Sequence, residues 1–170
     1  MKAKHIIDIT LYMDPEITDV AAARVTHPKS ISRKRKYSEQ QLADFNDLVE
    51  SVISILVHYN FDIIHESQSS QSYAYYIEFL PTDENGDVWD EVVGIKFRLA
   101  DHRNKGAESE KARKVYDNYK QSAEKKRITV IKSFFIGSTQ YPGPMSVITA
   151  IRDICKNLKD GNYDVLDKYI

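Results

Sequence analysis

The chain predicts an α+β fold, a mostly antiparallel sheet of about four strands with two main amphipathic helices packed on one face. Three observations carry that expectation. Apolar and polar residues alternate with period two near the N-terminus and across a paired set of segments in the middle of the chain. Apolar residues recur at helical spacing over 38–60 and again over 144–159. The chain has 170 residues, 42% hydrophobic and 29% charged, which suits a single domain able to bury a core.

The elements follow in order. Ile7, Ile9, Leu11 and Met13 alternate with Ile6, Asp8, Thr10 and Tyr12, the signature of a half-buried strand that Pro15 ends. Residues 14–37 read as irregular and finish in a basic run, so the domain carries a basic loop at 27–37. Ser38 opens a helix, and Gln41 three positions later completes a capping box. Leu42, Phe45, Val49, Val52, Ile53, Leu56 and Tyr59 give that helix its apolar stripe, and Asn60 is its stop.

The segments Ser69–Phe79 and Val88–His102 read as a hairpin joined across Asp83–Asp87. Tyr73, Tyr75, Ile77 and Phe79 share one face, as do Val93, Ile95, Phe97 and Leu99 on the partner. A two-residue Asn85-Gly86 turn would set Ile77 opposite Gly94 and misphase the two apolar sets, since a one-residue slip flips every side chain. An odd-length loop is expected instead, with Gly86 left-handed and Ile77 paired with Ile95. Tyr76 then lies opposite Lys96, and Ala74 opposite Arg98, on an open polar face.

Residues 103–126 are charge-dense with a narrow stripe at Ala112, Val115, Tyr116, Tyr119 and Ala123, which predicts a surface helix. A strand is expected over Ile128–Ile136. Pro144 suits the first turn of the last long helix, Val147, Ile148, Ile151, Cys155 and Leu158 its buried side, and Gly161 its end. Tyr163–Ile170 reads as a short docking helix.

A single cysteine allows no internal disulfide, and no apolar run approaches the roughly 18 residues of a membrane span. The N-terminus is interrupted by Asp8 and does not read as a signal peptide. These features point to the cytoplasm. Eleven tyrosines against one tryptophan supply amphipathic contact area of the kind interaction surfaces use, although half-burial in sheet is the better account of each tyrosine taken singly.

Net charge is only −1, but cations are clustered. Lys29, Arg33, Lys34, Arg35 and Lys36 precede Ser38, where cations oppose the helix dipole by about 0.3–1 kcal/mol each. A phosphate-binding segment and a solvated loop are both consistent with that run. Lys96, Arg98, His102, Arg103 and Lys105 form a second cluster, beside Tyr76 and Ser72, that suits a nucleic-acid backbone or an acidic protein surface. Cross-strand pairing of Lys96 and Arg98 with Glu78 and neighbouring acids is the competing reading.

Catalytic patterns are poor. His65-Glu66 sits in a strand-like context without the second histidine of a zinc-protease helix, and no Cys/His spacing suggests zinc. Glu66, Glu78 and Lys96 only loosely match a metal-dependent nuclease, while Cys155 falls on an apolar stripe and reads as core. No cofactor or metal is expected, and a binding protein is favoured over an enzyme.

Lys96-Phe97-Arg98-Leu99-Ala100-Asp101-His102, preceded by Ser70-Gln71-Ser72-Tyr73, resembles a pattern in small proteins of phages and mobile elements. One such group is the broad-spectrum type II-A anti-CRISPR inhibitors of Cas9. The resemblance covers Ser69–His102, with a looser continuation to about Leu158. It implies a protein without chemistry of its own that binds a host defence nuclease or its bound nucleic acid inside a bacterial cell. It singles out Arg98, Asp101 and His102. The alternative is a nucleic-acid-binding accessory protein of a phage or mobile element.

Overall fold

The computed structural model describes residues 3–14, 16–17, 35–69, 73–101 and 132–170. In chain order the described elements are β1 (His5–Met13), β2 (Glu16–Ile17), β3 (Arg35–Lys36), α1 (Glu39–His58), β4 (Asp62–Gln68), β5 (Ala74–Leu80), β6 (Val93–Ala100), β7 (Lys132–Ile136), β8 (Thr139–Tyr141), α2 (Pro144–Lys159) and α3 (Val165–Tyr169). The expected surface helix over 103–126 and the first part of the strand at 128–136 lie outside the described residues.

The architecture is α+β, but the sheet is larger and less uniform than the sequence predicted. Six strands run in the order β4-β5-β6-β1-β7-β8, and β2 and β3 form a separate two-stranded ribbon. Strands β1 and β6 pair in parallel, with Ile7 beside Ile95 and Ile9 beside Phe97, whereas the other pairs in the sheet are antiparallel. A parallel pair needs a long crossover, and α1 lies in the chain between these two strands. Nothing local in either strand records which neighbour it will take. Strand β4 (Asp-Ile-Ile-His-Glu-Ser-Gln) shows no alternation because it is an exposed edge, with a bulge between Ile63 and His65. Strand β8 has only three residues.

Helix α1 begins as its capping box dictates. The Ser38 hydroxyl accepts from the Gln41 amide at 3.1 Å, and the Ser38 amide donates to Gln41 Oε1 at 2.9 Å. The buried Gln41 side chain also donates to the Asp14 carbonyl at 2.8 Å, fixing the helix start against the end of β1. Asn60 takes the left-handed conformation (φ 58°) that ends the helical run. Helix α2 starts with Pro144 in its first turn and is followed by Gly161 at φ +82°. Lys159, near its end, donates to the Tyr59 carbonyl at 2.9 Å and to Thr82 Oγ1 at 3.1 Å, tying the ends of both long helices to the β5–β6 connection.

One core unites these elements. Ile7, Ile9, Leu11, Ile77, Phe79, Ile95 and Phe97 from one face of the sheet pack with Phe45, Val52 and Leu56 of α1 and Ile151, Ile154 and Leu158 of α2. Burial of each large side chain contributes about 1.5–3 kcal/mol. Leu166 and Tyr169 bring α3 onto the same cluster, as a docking helix should. Cys155 belongs to it too, and burial pushes its thiol up to about 12.

The opposite face of the sheet is not open throughout. Thr10 (4% exposed), Tyr12 (5%), Ser133 (1%) and Phe135 (3%) point away from the helices yet are buried. Tyr12 and Phe135 meet edge to face at 5.4 Å between centroids, with Ala100 against them. The open polar face is therefore confined to the β4–β6 half.

Candidate functional site

Strands β5 and β6 adopt the register their apolar faces demanded: Ile77 pairs with Ile95, Tyr76 with Lys96 and Ala74 with Arg98. The strands are shorter than the predicted hairpin, since Val88 makes only an isolated bridge to Thr82 and β6 starts at Val93. Between them the Asp83 carboxylate accepts from the amides of Asn85 and Asp87, both at 2.9 Å, and Gly86 is left-handed at φ +85°.

Alternation along β6 buries Val93, Ile95, Phe97 and Leu99 and leaves Lys96 and Arg98 exposed on the second face. Pairing with β4 brings Ser67 beside Tyr76 and His65 beside Glu78 on that face, with the His65 ring 6.3 Å from Tyr76. Ala74, having only a methyl group, leaves space opposite Arg98. The result is a groove of about 380 Å³ whose walls include Ser67, Ala74, Tyr76, Lys96 and Arg98.

Tyr76 is the organising side chain. Its ring leans across β6 over Gly94, close enough that a Cβ there would come within 2.7 Å of the phenol oxygen. Gly94 is thus required by close approach, not by its backbone conformation. The Tyr76 hydroxyl donates to Glu78 Oε2 at 3.0 Å. Burial, the bond to Glu78 and the Glu78 charge push the phenol up to about 12, so it remains a donor across the ordinary pH range.

Glu78 is therefore engaged along its own strand. Among the described residues no ion pair joins Lys96 to Glu78, or to Asp8, its register neighbour on β1. Of the cross-strand pairings in the competing reading, the one between Lys96 and Glu78 does not form.

Asp101 stands apart from this groove. It follows the last residue of β6 near Tyr37, whose hydroxyl is raised first by burial and then by the Asp101 carboxylate. Tyr37 meets Tyr73 edge-on at 5.0 Å, so this is the helix-covered side of the sheet. Arg35 and Lys36 form β3, opposite Ile17 and Glu16. Arg33, Lys34, Ser72, His102, Arg103 and Lys105 lie outside the described residues.

Ser67 and Gln68, which also line the groove, carried no signal in the sequence. Their partners, Tyr76 and Tyr75, come from another strand, and only the long-range β4–β5 pairing reveals them. Among the described residues no group of three or more His, Cys, Asp or Glu is placed to hold a metal, and no helix is long and apolar enough to cross a membrane. Comparison with protein-family models, curated protein sequences and solved structures finds no match for this chain.

Proposed function

We propose that this chain is a non-catalytic binding protein that engages an anionic partner through the β4–β6 half of its second sheet face. One observation carries the reading: Lys96 and Arg98 stand two residues apart on one strand, both exposed on the same face, beside a groove walled by Tyr76. Two cations at that spacing with an adjoining aromatic ring and a serine hydroxyl suit phosphate and base contact, or an acidic protein surface. The diversion of Glu78 to the Tyr76 hydroxyl leaves Lys96 available to such a partner.

The partner class comes from the resemblance of Lys96–His102 to phage and mobile-element inhibitors. On that reading the target is a host defence nuclease of the CRISPR type, or the nucleic acid it holds. The exposed pair on β6 equally supports a second reading, a nucleic-acid-binding accessory protein of a phage or mobile element.

Two titrations separate the readings. Adding the protein to a reconstituted type II-A RNA-guided nuclease should slow cleavage of its DNA target in proportion to occupancy, while free labelled DNA and RNA bind weakly. Tight binding to free nucleic acid, weakening steeply with salt and without effect on cleavage, would select the accessory protein. Neither inhibition nor nucleic-acid binding would remove both.

A further inference from the structure

A second groove, of about 550 Å³, lies between the two long helices. That volume falls in the range of about 300–1,000 Å³ typical of small-molecule sites. Helix α1 contributes Ser54, Ile55 and His58, and α2 contributes Met145, Ile148 and Arg152. In each helix these positions recur at three- and four-residue spacing, so each presents a single stripe to the groove.

The chemistry of the two stripes is mixed in a consistent way. Ile55 and Ile148 are buried and form an apolar floor, and Met145, 68% exposed, adds a flexible apolar wall. Arg152 and His58 are exposed, and among the described residues neither forms an ion pair. A guanidinium carries a planar fork of donors that matches a carboxylate, and here it borders an apolar trough.

We propose that this groove binds a small amphipathic anion, a carboxylate on an apolar chain. Its head meets Arg152, and its chain runs along Ile55, Ile148 and Met145. Charge complementarity and the apolar floor together specify that class: a simple inorganic anion would leave the floor unused, and a neutral lipid would leave the guanidinium unused. The site is on the helix layer, separate from the β4–β6 face, and does not depend on the function proposed for that face.

Calorimetric titration of the full chain with octanoate, below its micelle-forming concentration, tests this, with neutral octanol as the parallel ligand. Octanoate should bind roughly tenfold or more tightly than octanol, the worth of one charge-assisted hydrogen bond. Arg152→Ala should reduce octanoate to the octanol level, Arg152→Lys should recover part of the difference, and Ser54→Trp should fill the groove and weaken both ligands. Melting curves establish that each variant is folded; if Ser54→Trp is not, the exposed Arg152 substitutions decide. Equal affinity for the two ligands, or octanoate binding untouched by Arg152→Ala, would overturn the proposal. So would a concentration-dependent dimer, seen by sedimentation, that is blocked by Ser54→Trp and indifferent to octanoate.

Discussion

The second face of the sheet divides into two halves that share one alternation and differ in fate. In the β1–β7 half, Thr10, Tyr12, Ser133 and Phe135 are buried. In the β4–β6 half, Lys96 and Arg98 are exposed and Tyr76 and Glu78 half-buried. A period of two says only that a strand has two sides. What covers the second side is decided by tertiary placement, and only the uncovered half can meet a partner.

The largest expected effects test which half is structural. Phe97→Ala, on the helix-covered face, should cost about 3–5 kcal/mol in urea unfolding. Phe135→Ala should also be costly, about 3 kcal/mol, because it removes the edge-to-face partner of Tyr12. A loss near zero at Phe135 would erase the distinction between the halves.

Gly94→Ala comes next. Its new methyl would meet the Tyr76 hydroxyl at 2.7 Å and the Ala3 methyl at 3.2 Å, forcing the ring off β6. A loss of about 1–3 kcal/mol is expected from that overpacking. The double variant Gly94→Ala/Tyr76→Ala should show a smaller added penalty for the glycine change, since the clashing ring is gone. Strict additivity would mean that Tyr76 does not rest on Gly94.

Much of this was legible beforehand. The Ile77–Ile95 register, the Ser38–Gln41 capping box and left-handed Gly86 follow from local chemistry that the residues carry themselves. The parallel β1–β6 pair, the edge position of β4 and short β8 were not, because strand partnership is a long-range choice and an exposed edge needs no apolar pattern. For the same reason Lys96, Arg98 and Tyr76 could be grouped by register, whereas Ser67 could not. Asp101 follows Arg98 by three residues, and the pleat and Tyr37 put it on the other side.

A smaller effect appears with pH. The Tyr76 phenol is raised from 10.0 to about 12, so the folded chain holds that proton more tightly than the unfolded chain does. Its contribution is fully present below pH 10 and is lost as pH rises from 10 to about 12. The Cys155 thiol, raised from 9.0 to about 12, acts in the same direction. Unfolding free energies of Tyr76→Phe across this window should therefore fall less steeply than those of the natural chain. Parallel curves would mean that the Tyr76 phenol, half-buried and bonded to Glu78, contributes nothing to the alkaline decline.

The smallest stability effect belongs to the proposed binding residues, and it is also where binding should change most. Lys96→Glu/Arg98→Glu reverses both charges on the exposed strand face, and exposed substitutions usually stay within about 0.5 kcal/mol each. The decisive measurement pairs a thermal melt of this double variant with its inhibition of the reconstituted nuclease and its binding to labelled nucleic acid. The account predicts a melting curve close to that of the natural chain and loss of whichever interaction the natural chain shows. A folded variant that inhibits and binds undiminished would contradict it, and so would a loss of binding that merely follows a loss of stability and returns on cooling.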